Sequence, residues 1–466
     1  MLVINPVLVA LQAAAIAVCA SASSIPEYLA KDLPAACDAT CQAALAADAS
    51  AWVQPDINQD RFYDTPQNFS EYEIGDLVKW EDVNAAKVST SWLLPSGLSL
   101  SRFFYVSEDI NGKPLPATGY AIIPYSNPLG SKQPFRVVVW AHGTAGFTPQ
   151  CAPSNNKALM YAWQAPYALA QQGYVVIAPD YAGQGSHIPT GFLYNAGIAH
   201  AGDVSWAVTA LRSNFPQQIT HQWVVVGHSE GGLTAWRTAE REAIPKKAAG
   251  GFLGAVSIAP ALEVMSLLPW VIEKAHGGPL QEIFLPFMLQ TIRRLFPSFD
   301  ITKYVTDKVV DLTELAYTGC VNIAVPLLGG LTLDDMYFNG ANFPSSPEVK
   351  EWTDKYHGQG AKKLGGPLLV LHGEKDFILP HTHIEDIFVK QCKAFPESAA
   401  EYQLLPGLDH DGVLQASHSN YLPWIADRFD KKPVRTECVR GVVKPATDRF
   451  STIEQVWVSA GQVLVQ

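Results

Sequence analysis

The chain has 466 residues, of which 48% are hydrophobic, 11% aromatic and 17% charged, enough apolar material for a large buried core, so disorder is excluded as its overall state. Its 33 basic and 44 acidic residues leave a net charge of −11 and a pI near 5.5, with no extended run of Lys and Arg, which makes nucleic acid and anionic membrane surfaces poor candidates as partners. The length fits one catalytic-sized domain with insertions as well as several smaller domains. Residues 1–22 read as a secretory signal peptide: 7–20 form an apolar run broken by Gln12, and Ala20-Ser21-Ala22 supplies the small residues of a cleavage site. No Lys or Arg precedes the run, which departs from the usual form, but the run is short for a membrane span. With Cys19 in the signal, Cys37, Cys41, Cys151, Cys320, Cys392 and Cys438 remain, an even number that permits three disulfides in an oxidising compartment without choosing among the pairings. The sequon Asn68-Phe69-Ser70 adds to the expectation of a secreted, extracellular glycoprotein.

Residues 23–85 lack sustained periodicity and read as an N-terminal extension wrapped on the surface. From there the spacing predicts strands over 87–94, 99–106 and 118–124, with Asn111-Gly112 turn chemistry between two of them, as the antiparallel edge of a sheet. Continuous apolar runs follow at 135–140, 174–178, 223–226 and 252–258, the mark of strands buried on both faces. Helical stretches at 158–172, 199–213 and 231–243 alternate with them. That alternation predicts an α/β fold with a mostly parallel central sheet and helices on both faces. The alternation stops over 261–345, which is rich in Leu, Phe, Met and Pro and reads as a helical insertion. Strands resume at 368–371 and 401–405, with helices at 383–393 and 413–429. The core therefore covers 86–260 and 346–440, and 441–466 is a C-terminal tail.

The chemistry concentrates in Trp223-Val224-Val225-Val226-Gly227-His228-Ser229-Glu230-Gly231-Gly232. Glycines two before and two after Ser229 suit a sharp strand-to-helix turn that exposes the serine oxygen, and the turn aims the Glu230 N–H at the oxyanion formed when Ser229 attacks a carbonyl. A nucleophilic serine needs a base and a carboxylate that orients the base, in the chain order serine, acid, histidine. The strand 367–371 runs into His372-Gly373-Glu374-Lys375-Asp376, which makes Asp376 the acid and Glu374 its competitor. His410, on the loop Pro406-Gly407-Leu408-Asp409-His410-Asp411-Gly412 after the last strand, is the base, ahead of His418. Ala141-His142-Gly143-Thr144-Ala145-Gly146 follows a buried strand and supplies a second oxyanion donor through the Thr144 N–H. Asp180 reads as a structural turn residue. No C-x-x-C or H-E-x-x-H spacing occurs, so no metal site is expected, and the chemistry calls for no cofactor.

Together these residues resemble an α/β-hydrolase. Further stretches are similar to the fungal secretory lipase family: Gln150-Cys151-Ala152-Pro153-Ser154, the segment Ala168 to Val176, Gly319-Cys320 and Gln391-Cys392, with the likeness running from about residue 85 to 440. The resemblance implies a helical cap between the serine and acid strands, matching the insertion. It also implies disulfides Cys151–Cys320 and Cys392–Cys438, leaving Cys37 and Cys41 to pair locally. Two features depart from the family: its elbow resembles G-Y-S-G-G, whereas His228 and Glu230 flank the serine here, and the H-G-T loop is more typical of general esterases.

The first expectation is a secreted serine carboxylic-ester hydrolase, lipase or esterase, working through an acyl-enzyme on acylglycerols or other small lipophilic esters. The cap is where a transient contact with a lipid interface would form. In the lipase version Leu267, Leu268, Trp270, Leu285, Phe287 and Met288 make an acyl tunnel; in the short-acyl version, an esterase deacetylating a secondary metabolite, the same residues only pack the cap. Peptidase and acyltransferase activities are further readings of the same triad. Oligomeric state is left open by the sequence.

Overall fold

A computed structural model describes residues 37–338 and 340–446. The signal peptide expected over 1–22 and the end of the C-terminal tail, 447–466, lie outside the described residues. Among the described residues ten strands form one sheet in the order β1-β2-β3-β5-β4-β6-β7-β8-β9-β10. β1 (Leu77–Asp82), β2 (Leu98–Glu108) and β3 (Pro114–Pro124) run antiparallel to their neighbours, β3 pairing with β5. From β5 (Val175–Pro179) onward every pairing is parallel, through β4 (Phe135–Ala141), β6 (Ile219–His228), β7 (Phe252–Ile258), β8 (Leu368–Gly373), β9 (Ala400–Leu405) and β10 (Val439–Val442). The central strands are buried on both faces, as their unbroken Val, Ile and Leu runs require. Their parallel register puts the C-terminal ends of β4, β6 and β8 along one edge, where the loops carrying Thr144, Ser229 and Asp376 begin.

Three stretches of the core differ from the sequence expectation. The stretch 87–94 forms no strand: Asn84 accepts the Lys87 N–H at 2.9 Å and caps helix Ala85–Ser91, and the partner of β2 is instead β1, further upstream. The helix expected over 158–172 is confined to Pro166–Gln171. Pro166 has no N–H to bond backwards and disfavours helical backbone at Ala165, while Leu159, Met160 and Tyr161 turn through positive φ. The helix expected over 413–429 breaks at Ser417 into Gly412–Ala416 and His418–Phe429.

Between β7 and β8 the chain is helical, with Leu268–Ala275, Leu285–Leu295, Asp307–Ala316 and Val321–Leu328 as its longer helices. The N-terminal region is more than a surface wrap. Helix Ala39–Ala51, capped by Asp38, buries Cys41, Leu45 and Asp48, and Asp48 accepts the Cys320 N–H at 2.7 Å and the Asn322 amide at 2.8 Å. Arg102, buried on β2, ties this region to the sheet through Asp60 (2.7 Å) and Glu81 (2.5 Å). Among the described residues the disulfides are Cys37–Cys41, Cys151–Cys320 and Cys392–Cys438. Cys151–Cys320 fastens the loop beyond Thr144 to the helical insert, and closures of this length stabilise a fold by roughly 3–5 kcal/mol.

Candidate active site

Ser229 stands between the end of β6 and helix Glu230–Arg241 with φ 59° and ψ −118°, a conformation unfavourable for a residue with a side chain. The neighbouring glycines make it attainable. A Cβ on Gly227 would lie 2.0 Å from the Gly231 carbonyl oxygen, and one on Gly231 would lie 1.9 Å from that of Ala141, so neither position accepts any other residue without moving backbone. The Ser229 amide is fixed to the Ile258 carbonyl at 2.9 Å. Strain at this turn is thus held by the two strands flanking β6.

The loops after β8 and β9 bring Asp376 and His410 to the serine. Asp376 Oδ2 lies 2.7 Å from His410 Nδ1, and His410 Nε2 lies 3.0 Å from Ser229 Oγ. With Nδ1–H donating to the carboxylate, Nε2 is the nitrogen left to accept the serine proton. The other oxygen of Asp376 accepts the amides of Ile378 (3.0 Å) and Leu379 (2.8 Å), which orient the carboxylate from behind. Burial alone would raise the Asp376 pKa, but His410 and His372 outweigh it and hold the group well below the usual carboxylate range. Burial likewise opposes charge on His410, yet Asp376, with Asp411 and Asp409 behind it, raises its pKa to about 9.

The competing residues are elsewhere. Glu374 accepts the Gly407 N–H at 3.0 Å and supports a turn, and His418 reaches the Gln164 carbonyl at 2.6 Å. Asp180 is buried against the Ser154 amide and the hydroxyls of Ser154 and Thr118. Asn68 is exposed, its side-chain amide donating to Glu71.

Three residues that sequence reasoning left without a role bear on the site. His372, at the end of β8, lies 3.3 Å from Asp376 Oδ2 and donates from Nε2 to the Leu379 carbonyl at 2.7 Å. His228 does not project toward a substrate: it is fully buried and donates from Nε2 to the His410 carbonyl at 2.8 Å. Burial and the nearby His410 push its pKa down to about 4, so it holds the loop as a neutral ring. Tyr194 places its hydroxyl 2.9 Å from Thr144 Oγ1. The spacing His372 to Asp376 was a local signal; the other two contacts join residues far apart in sequence.

The two expected oxyanion donors, the Thr144 and Glu230 amides, make no backbone hydrogen bond among the described residues. The Glu230 side chain is buried beside the elbow, and burial raises its pKa to about 8, so at neutral pH it is mostly the uncharged acid. Thr144, Ser229 and His410 open into one cavity of about 430 Å³ roofed by the insert. Leu267, Leu285 and Met288 line it as expected. Leu268, Trp270 and Phe287 do not: Phe287 turns away and stacks on Phe147 with ring centroids 3.8 Å apart. Val264, Leu280, Ile283 and Phe284 add to the apolar wall, which is interrupted by Gln281, Glu282 and Asn322.

An arrangement of this kind can take a proton from the serine hydroxyl, attack a carbonyl and stabilise the resulting oxyanion. Comparison with known proteins agrees in fold and in chemistry class. Lipase 5 of Candida albicans is 24% identical over 427 residues, covering 85% of this chain and 85% of that protein, and the secreted triacylglycerol lipase LIP3 of Malassezia globosa is 22% identical over 412 residues, covering 82% and 84%. Among solved structures, Candida antarctica lipase A in its closed state superposes with a TM-score of 0.65 at 15% identity, over 88% of this chain and 95% of that one. The rice cell wall degrading esterase LipA of Xanthomonas oryzae superposes with a TM-score of 0.57 at 15% identity, over 78% and 100%. Residues 138–422, well over half of the chain, match the model of the alpha/beta hydrolase family, and the chain belongs to that family.

Proposed function

We propose that the chain is a secreted serine carboxylic-ester hydrolase whose triad is Ser229, His410 and Asp376. The observation that carries this reading is the hydrogen-bonded series Ser229 Oγ, His410 Nε2, His410 Nδ1, Asp376 Oδ2, opening on an apolar cavity. Ser229 Oγ attacks the ester carbonyl while its proton passes to His410 Nε2. The Thr144 and Glu230 amides donate to the oxyanion. As the tetrahedral intermediate collapses, the C–O bond to the alcohol breaks and the alcohol leaves with the proton from His410. Water then attacks the acyl-enzyme, giving its proton to His410, and the acid departs as Ser229 recovers its hydrogen. Every proton and electron pair is held by the chain, the ester and water.

The cavity wall supports a substrate class. Leu267, Leu280, Ile283 and Met288 suit an acyl chain, and residues 261–345 act as the cap over the core of 86–260 and 346–440. Phe377 and Val325 line the same cavity yet are 50% and 57% exposed, an apolar rim where a lipid interface would be met. Acylglycerols are the leading substrates, in keeping with relatives named secreted triacylglycerol lipases. Three disulfides support an extracellular location, as does the exposed Asn68 sequon. Glu282, Gln281 and Asn322 on the wall favour a second reading, a short-acyl ester with polar atoms away from the scissile bond.

Hydrolysis of a nitrophenyl ester series from acetyl to palmitoyl, with Ser229→Ala as blank, tests the proposal. A cavity of this size should give a maximum at about eight carbons or longer. A maximum at acetyl with steep decline transfers the assignment to the short-acyl esterase, and absence of Ser229-dependent turnover on every ester, with cleavage of aminoacyl anilides instead, makes the protein a peptidase.

A further inference from the structure

Glu230 follows the nucleophile, and its backbone and side chain point to different tasks. While its N–H is an oxyanion donor in the reading above, its carboxyl group is fully buried and turns back under the elbow. Oε1 accepts the Asn195 N–H at 2.7 Å and lies 3.7 Å from His200 Nδ1; Oε2 has no partner among the described residues. Asn195 sits at φ 56°, in the left-handed region that asparagine adopts more readily than most residues. Its backbone is held from outside on both sides, the Glu230 carboxyl on its amide and His357 Nδ1–H on its carbonyl at 2.9 Å.

The next residue back, Tyr194, spends its hydroxyl on Thr144 Oγ1 at 2.9 Å, and its ring meets Phe147 edge-on with centroids 5.1 Å apart. Thr144 is gripped further by Tyr161, whose hydroxyl donates to the Thr144 carbonyl at 3.4 Å. A short path therefore runs from the Glu230 carboxyl through Asn195 and Tyr194 to Thr144, and each end of it carries one of the two oxyanion amides. Tyr194, Asn195 and Thr144 all line the cavity.

We propose that the Glu230 side chain is a positioning residue that sets the spacing of the two oxyanion amides, by clamping the 194–195 segment whose tyrosine holds Thr144. The proposal rests on the ester-hydrolase reading. The clamp requires an acceptor oxygen that reaches the Asn195 amide from the first residue of the helix, which Glu230 supplies. Because burial keeps the group mostly protonated at neutral pH, it makes that bond without setting a negative charge beside the forming oxyanion.

The test compares Glu230→Leu, Glu230→Gln, Tyr194→Phe and the double variant Glu230→Leu/Tyr194→Phe. It reads kcat and KM on a nitrophenyl ester, affinity for an alkylboronic acid, the rate of Ser229 labelling by a nitrophenyl phosphonate, and the melting temperature. Glu230→Leu should lower kcat roughly tenfold to a hundredfold with KM within about twofold, and boronate affinity should fall in step with kcat/KM. Glu230→Gln, which keeps the acceptor oxygen, should recover most of the loss. Tyr194→Phe alone should cost several-fold and add little to Glu230→Leu, since both cut one path. A folded Glu230→Leu with wild-type kcat, an equal loss in Glu230→Gln, or full additivity in the double variant overturns the clamp. If Glu230→Leu does not fold, Tyr194→Phe decides: lower kcat and boronate affinity at constant KM supports the clamp, and unchanged values overturn it. Wild-type protein that neither hydrolyses the ester nor is labelled at Ser229 would instead overturn the ester-hydrolase reading beneath it.

Discussion

On the sheet side of the cavity, Ser229, His410 and Asp376 are joined by hydrogen bonds of 2.7 and 3.0 Å, and His228 and His372 fix the loops behind them. On the insert side, Leu267, Leu280, Ile283 and Met288 present apolar side chains whose packing has no preferred direction. The first wall depends on angles and distances, so that a displacement of about 1 Å can cost a hundredfold in rate. The second depends on volume, and volume-conserving exchanges in such packing cost less than about 1.5 kcal/mol. Substitutions on the two walls should therefore differ in kind: on the sheet side they change how fast any ester reacts, and on the insert side they change which ester reacts.

The largest effects break the sheet side. Ser229→Ala and His410→Ala should each lower kcat by about 10⁴-fold or more, and Asp376→Asn by about 10⁴-fold, with the melting temperature little changed in Ser229→Ala. Steady-state kinetics on a short nitrophenyl ester checks all three. Glu374→Gln should stay near wild type, because its carboxylate only supports the turn at Gly407. The reverse order, Glu374→Gln crippled and Asp376→Asn active, would give the acid's role to the wrong loop position and undo the triad as assigned.

A pH profile sharpens the same side with a smaller effect. In the proposed triad only neutral His410 can accept the serine proton, and against the burial that opposes its charge Asp376, Asp411 and Asp409 raise its pKa to about 9. Activity is therefore lost as pH falls through this raised value, and kcat/KM should climb with pH to a midpoint above the ordinary imidazole value of 6.5. Asp411→Asn removes one negative charge facing the ring, so the midpoint should move down by about half a pH unit. A wild-type midpoint at or below 6.5, or an upward move in Asp411→Asn, would mean that burial rather than the carboxylates governs His410.

The same division decides what could be read from sequence. The elbow was legible because its requirements are local: Gly227 and Gly231 sit two residues either side of Ser229, and the clashes they avoid are with backbone that any such turn brings close. That Asp376 and His410 stand beside Ser229 was legible through chain order and the strands before them. The contact from His228 to the His410 carbonyl spans 182 positions and leaves no trace in spacing. β1 was missed because its residues are only half-buried at the sheet edge, and the apolar alternation after it was read as a strand where the Asn84 cap starts a helix. In the insert, periodicity identified apolar positions but not their direction, which is why Phe287 and Leu268 were expected in the cavity and instead pack behind it.

That last distinction gives the smallest and most selective prediction. Met288 and Phe287 are adjacent on one helix, both buried, but only Met288 faces the cavity. Met288→Trp should fill part of the acyl space and reduce hydrolysis of the longest nitrophenyl esters about tenfold relative to the acetyl ester, at an overpacking cost of about 1–3 kcal/mol. Phe287→Leu removes the stacking on Phe147 and should cost about 1–3 kcal/mol of stability, seen in the melting temperature, while the chain-length profile keeps its shape. The two variants thus separate a wall that selects substrate from packing that only supports it. Equal changes of profile in both would mean that the insert responds as one body, its cavity shape set by the packing behind the wall as much as by the side chains on it.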